Sequence, residues 1–292
     1  MALTKPSDVF IPEIIGALAN EVATAKDSLL SSGYIQDART VAFRDGTGSK
    51  VVFPKIETNT ATVETDPQDG NAVTAGSFTM GTDEETVVDK IVPMDILDKT
   101  IKAMANGQLD PNAYVANFVA KKIRLDVQTS LLAKGATSAS KYTDPQGVGN
   151  WDGLMFAAAR YWGEYAYDEP PLLVAHSKVV TDLVMSEEAK KAGLYGGAPV
   201  VQSGQMMTFA GKNILPLDSV PAVNGKYQNL ILRRDALSLW NQVDVQYGEQ
   251  RKAHTTLWQM DWWFSYAVHL SADVPVGCIV YEVPALLDQE GV

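Results

Sequence analysis

Reactive side chains are scarce in this sequence. Its 292 residues include one cysteine and three histidines. One cysteine excludes an internal disulfide framework and a cysteine zinc cage, and Cys278 reads as a small buried hydrophobe. His176, His254 and His269 stand far apart, none in an HExxH or His-x-Glu arrangement, so zinc has no sequence support and each is expected to be structural. Basic charge is also short. Against 35 Asp plus Glu there are 24 Lys plus Arg, a net charge of −11, which argues against tight nucleic-acid binding. Long hydrophobic runs are missing too. The longest uncharged stretch, 192–211, has five glycines and Pro199 and reads as a loop, not a membrane span. The first twelve residues lack the charged, apolar and cleavage regions of a signal peptide, so secretion is not expected. What is present is 46% hydrophobic and 20% charged, a globular composition with length for about two domains.

The negative charge is concentrated. Glu57, Glu64, Asp66, Asp69, Asp83, Glu84, Glu85 and Asp89 fall in a window with no Lys or Arg, and they carry eight of the eleven net charges. The same window holds eight threonines and few large apolar residues, so it cannot build a core of its own and needs a neighbour. Residues 40–43 and 49–53 are β-prone around the turn Arg44-Asp45-Gly46-Thr47-Gly48, and a β-rich run resumes from Glu85 to Val92. Residues 38–92 therefore read as an extended, hairpin-like acidic arm.

Helical spacing marks two long elements. Ile14, Ile15, Leu18, Val22, Ala25 and Leu29 make an amphipathic helix over 12–32, ended by Gly33. Asp110 as N-cap, Pro111 at the first position and Gly135 past the end frame a second helix. At about 1.5 Å per residue it reaches about 36 Å, enough to serve as a spine. Its stripe of Ala116, Val119, Ala120, Ile123, Val127 and Leu131 faces inward, and Lys121, Lys122 and Arg124 face outward. Further on, a helix over 151–162 capped by Asn150 or Asp152, a buried strand over 171–175 and a helix capped by Ser177 form an α/β middle. Strands over 212–217 and 229–232 close it. The strongest strand signal is the alternation Trp258, Met260, Trp262, Phe264, Tyr266, Val268, Leu270, with 276–283 expected to return beside it and Trp263 on the opposite face as an interface anchor.

Catalytic motifs fail for want of parts. Ser203 lies in Gln-Ser-Gly, but there is no Gly-x-Ser-x-Gly elbow. Lys50 leads into Val51-Val52-Phe53, not into a helix, so Asp45 to Lys50 is a tight turn and not a phosphate loop. Asp66 to Asn71 departs from calcium-loop spacing. The aromatic strand has only Arg251 and Lys252 near it, too little basic charge for a base-stacking platform. No catalytic, cofactor or metal residue is assigned.

The order of these parts resembles the major capsid proteins of tailed bacteriophages, and more distantly the encapsulins, which share the fold. The resemblance is carried by Val9-Phe10-Ile11-Pro12-Glu13, the passage from Gly46 to Lys55, the spine from Asp110 to Gly135, and Val174-Ala175-His176-Ser177-Lys178. It implies an α+β fold with an N-terminal arm and helix (1–37), the extended acidic hairpin arm (38–92), a peripheral domain with spine helix and long strands (93–135 and 251–292) and an α/β axial domain (136–250). It also implies a homo-oligomer of hexameric and pentameric capsomers, assembled in a host cytoplasm into an icosahedral virion shell around double-stranded DNA. Scaffolding, portal and decoration proteins are the expected partners, with no membrane. A scaffold, where needed, is expected to be a separate protein, because no long region precedes Val9.

In that reading Glu57, Glu64, Asp66, Asp69, Asp83, Glu84 and Glu85 of the arm meet basic surface on an adjacent copy, with Lys121, Lys122 and Arg124 as first candidates. Two alternatives stand beside it. An encapsulin-like compartment shares the fold and differs in contents. An α/β hydrolase or sugar-active enzyme would use Glu64 with Asp83 or Glu84 as paired carboxylates.

Overall fold

The computed structural model describes residues 29–38, 42–44, 49–59, 78–106, 111–163, 170–186, 208–209, 212–252, 257–271 and 277–285. In chain order the elements are β1 (Ile35–Asp37), β2 (Phe43–Arg44), β3 (Lys50–Asn59), β4 (Phe78–Thr86), β5 (Val88–Leu97), α1 (Asp98–Ala105), α2 (Pro111–Gly135), β6 (Lys141–Thr143), α3 (Trp151–Trp162), β7 (Leu172–Ala175) and α4 (Ser177–Met185). There follow β8 (Thr208–Phe209), β9 (Lys212–Asn213), β10 (Leu215–Pro216), β11 (Ala222–Val223), β12 (Lys226–Leu232), β13 (Leu237–Arg251), β14 (Leu257–Leu270) and β15 (Cys278–Pro284). The predicted helix over 12–32 lies outside the described residues up to 28, and its last residues form a 3-10 turn, Leu30–Ser32, closed by Gly33 at φ +76°. Residues 45–48, most of 192–211, Asp110, Ser203, His254 and the 66–71 loop also lie outside them.

Two sheets share one main core. The first has the order β1-β13-β14-β5 and the second β10-β7-β12-β15-β6, with β11 beside β12. The spine α2 packs its stripe of Val119, Ala120, Ile123, Val127 and Leu131 against Met260, Trp262, Phe264 and Tyr266 of β14. Its last turn reaches the second sheet, where Gly135 meets Leu230. That sheet is covered on both faces. Leu230, Leu232 and Val280 join the spine's core, while Ile231, Ile279 and Tyr281 pack with Leu154, Ala158 and Trp162 of α3 and Val179 and Leu183 of α4. Strands buried on both sides need continuous rather than alternating apolar sequence, as in Asn229-Leu230-Ile231-Leu232.

Strand pairing corrects one expectation. The partner of β14 is not 276–283 but β13, in antiparallel register from Leu237↔Leu270 to Arg251↔Trp258, with an irregularity between Gln242 and Gln246. On its other side β14 pairs with β5. The segment expected there, β15, lies between β12 and β6 in the second sheet. The reason is burial: Cys278, Ile279, Val280, Tyr281 and Val283 are all buried, whereas β14 alternates and needs partners that alternate as well. Leu237, Leu239 and Tyr247 of β13, packed in the main core, supply such a face. Sheet membership therefore crosses the expected boundary at 250/251.

Local details differ in two places, the cap of α4 and the end of β5, while the cap of α3 is one of the two residues expected. His176, not Ser177, caps α4, its Nδ1 accepting the Lys178 amide at 3.2 Å. Asn150 caps α3 by accepting the Gly153 amide at 2.5 Å. The β-rich run after Glu85 continues through Pro93 to Leu97, which an edge strand tolerates. Among the described residues no helix is long and apolar enough to cross a membrane.

Candidate assembly surfaces

The root of the acidic arm is a ladder of charges. β3 and β4 pair antiparallel, with β2 on the far side of β3. Neighbours along β4 point to opposite faces, so Asp83 and Glu84 diverge. Asp83 accepts from Lys55, and Glu84 from Lys50 at 2.6 Å. Glu85 lies 2.5 Å from Lys134 of the spine and 3.2 Å from His269, and Asp89 accepts from the Ser265 hydroxyl at 2.6 Å. Each of these acids thus has a partner within the chain, and the charges of Asp83, Glu84 and Glu85 are matched by lysines. Glu57 falls on β3, without a described side chain, and Glu64, Asp66 and Asp69 lie outside the described residues.

Lys121 and Lys122 are exposed and Arg124 is half-buried on α2, and none of them forms an ion pair among the described residues. Lys122 holds its ammonium 5.8 Å from the Phe118 ring centroid. Beside it an open groove of about 490 Å³ runs between α2 and β5, lined by Val92, Phe118, Leu125 and Phe264 with Lys90, Lys122 and Asp126. Lys90 and Asp126 approach to 3.4 Å. Asp126 also accepts from the Tyr266 hydroxyl at 2.7 Å, and burial pushes that phenol up to about 12. Sequence reasoning missed this groove. Its signal is the second apolar column on the spine, Phe118 and Leu125, seven residues apart and exposed at 37% and 40%.

The opposite face of the same sheet carries Trp263. It stands opposite Ile91 of β5, both exposed, at 39% and 46%. The indole lies over Gly248 of β13, where a Cβ would come within 2.4 Å of the ring. Large aromatic surface held flat in this way is suited to anchor an interface.

The interior of the middle region holds a buried carboxylate. Asp144, buried, accepts from the Tyr281 hydroxyl, from Asn150 Nδ2 at 2.6 Å and from the Gln146 amide at 2.8 Å. These bonds fix the 144–150 loop ahead of α3. Cys278 is buried, and burial pushes its thiol up to about 12, far from a reactive thiolate. Among the described residues no three His, Cys, Asp or Glu side chains gather where they could hold a metal ion.

The fold as a whole is similar to that of solved phage capsid proteins and of an encapsulin. The capsid of Ralstonia phage GP4 superposes with a TM-score of 0.60 at 12% identity, over 91% of this chain and 93% of that one. The acid-stable capsid of Helicobacter pylori bacteriophage KHP30 gives 0.61 at 8% identity, over 84% and 87%. The holo-SrpI encapsulin complex of Synechococcus elongatus gives 0.53 at 15% identity, over 72% and 79%. No protein-family model and no curated protein matches the sequence.

Proposed function

We propose that this chain is a shell-forming subunit of the major capsid type, which assembles in a host cytoplasm into an icosahedral virion head around double-stranded DNA and performs no catalysis. The observation that carries the reading is the superposition on the GP4 phage capsid over nearly the full length of both chains. In this reading α2 with β1, β13, β14 and β5 forms the peripheral unit, and β6, β7, β10, β11, β12 and β15 with α3 and α4 form the axial unit of hexameric and pentameric capsomers. Shell closure then rests on many weak contacts repeated by symmetry. A near-neutral body suits a wall that must not hold its DNA tightly. Scaffolding, portal and decoration proteins complete the expected partners.

The contacts follow from the surfaces. The lysines at the root of the arm lie against Asp83, Glu84 and Glu85 within the chain, so the acids proposed to meet a neighbour are the other candidates, Glu57, Glu64, Asp66 and Asp69. Lys121, Lys122 and Arg124, free of ion pairs among the described residues, are their partners on the adjacent copy, with Trp263 a second anchor on the other face of the sheet.

Negative-stain microscopy of the purified protein tests this. Uniform shells or rings of subunits are expected, and a strict monomer at high concentration overturns it. The encapsulin-like reading is favoured by the SrpI superposition; a gene neighbourhood holding one cargo enzyme, in place of portal, terminase and tail genes, would select it. The enzyme reading pairs Glu64, which lies outside the described residues, with Asp83 or Glu84, and each of these two binds a lysine of β3.

A further inference from the structure

The arm meets the rest of the protein at a narrow seam. β3 and β4 belong to a sheet separate from that of β14, and the chain passes from β4 to β5 through Val87. The apolar contact across the seam is small: Val51 and Phe53 with Ala38, Ala42 and Ala267, bordered by Val87 and Trp240. His269 of β14 sits in it, buried. Its ring stacks on Phe53, with centroids 4.5 Å apart and planes at 19°. Nδ1 lies 3.2 Å from Glu85 Oε1, and Nε2 lies 3.9 Å from Asp83 Oδ2.

Nδ1 is thus within hydrogen-bond reach of one carboxylate and Nε2 at ion-pair distance from a second; ionised carboxylates accept and do not donate. A neutral imidazole has one N–H, so it serves one carboxylate and turns a lone pair toward the other; an imidazolium has two and serves both. Two lysines stand beside these carboxylates among the described residues. Lys55 of β3 is bound to Asp83, and Lys134 of α2 lies against Glu85. β13 places uncharged Ser238 opposite His269. Histidine is the side-chain type whose charge ordinarily changes between roughly pH 5 and 8.

We propose that His269 is a pH-gated latch between the arm and the body. Protonated, it grips Glu85 and Asp83 together, and the imidazolium gains further from the face of Phe53. Neutral, it lets one carboxylate go, and the arm pivots more freely about Val87. The arm is therefore held more tightly at lower pH. The latch stands on contacts within one chain and holds whether or not the chain builds a shell.

Amide hydrogen exchange on the full chain tests it, with the oligomeric state followed by light scattering so that loss of assembly is scored separately. Protection factors of β3 and β4 are compared at about pH 5.5 and about pH 8, with β12 and β15 as internal reference. The expected result is protection about tenfold greater at the lower pH in β3 and β4 alone, the scale of one charge-assisted hydrogen bond. His269→Gln flattens that dependence. So does the double variant Asp83→Asn with Glu85→Gln, whose side chains are half-buried and which carries the test should the histidine variant fail to fold. Wild-type protection that does not vary with pH, or a dependence that survives in either variant, overturns the latch.

Discussion

The Tyr281 hydroxyl of β15 donates to the buried carboxylate of Asp144, tying the second sheet to the loop that starts α3. Burial and the carboxylate beside it push the phenol well above its ordinary range. Tyr281→Phe keeps the ring and deletes the donor, leaving Asp144 short of one bond in a buried site. A loss of about 1.5–3 kcal/mol is expected for a hydrogen bond to a charged group, read as a lower midpoint in urea denaturation with an unchanged slope.

Gly153 leads to a second expectation from the same cluster. In an exposed helix Gly→Ala stabilises by up to about 1 kcal/mol. Here a Cβ would come within 2.4 Å of Asp144 Oδ2 and 3.0 Å of both Asn150 Oδ1 and the Tyr281 hydroxyl. These atoms hold one another in place, so Gly153→Ala is expected to destabilise, by about 1–3 kcal/mol on the scale of overpacked cores. Thermal denaturation gives the sign, and a stabilised variant would refute the rigidity of the cluster.

Glu282 supplies a pH dependence. Burial acts to raise its pKa, but hydrogen bonds from Thr143 and Gln228 and the charge of Lys226 outweigh it and hold the carboxyl below its ordinary 4.5. A carboxyl lowered by folding stabilises fully above its unfolded pKa and loses that contribution as pH falls through the folded one. The stability gap between wild type and Glu282→Gln is therefore expected to be constant near neutrality and to shrink below 4.5. Urea titrations at a series of pH values measure it.

With its thiol at about 12 and no exposed surface to speak of, Cys278 is expected to resist a thiol-colour reagent at pH near 8 and to react fully once the chain is unfolded. Fast labelling of the native protein would contradict the packing of β15.

On the spine, reversing Lys121, Lys122 and Arg124 to Glu is expected to leave the fold intact, since Lys121 and Lys122 are exposed, Arg124 is half-buried and none forms an ion pair among the described residues, and to impair assembly. Circular dichroism with negative-stain microscopy separates the two effects. Normal shells from this variant would reject the pairing with the acidic arm while leaving the shell reading in place.

Periodicity made much of this structure readable in advance. The spine, α3 and β14 each carry one apolar face, and a single face written at period 3.6 or 2 survives in sequence whatever lies opposite. Pairing was less legible. β13 and β15 are both apolar enough to accompany β14, and the choice turned on burial of both faces of β15, which depends on helices far away in sequence. The candidate surfaces divide similarly. The acidic window and the basic spine cluster are local in sequence. The groove beside Phe118 and Leu125 and the setting of His269 arise from elements that the fold brings together, Glu85 and His269 being 184 residues apart.

Pro93 lies within β5, at the open edge of a four-stranded sheet. A proline fits a paired strand only where its nitrogen faces away from the partner, so the outer rim of β5 is missing a donor midway along its length. Charged Asp89, Lys90 and Asp95 flank the gap. An exposed sheet edge invites further strands to add, one copy after another, into fibres. The interruption at Pro93 works against that route, so a contact between copies of this chain would have to be made through side chains and finite surfaces, as the proposed shell requires.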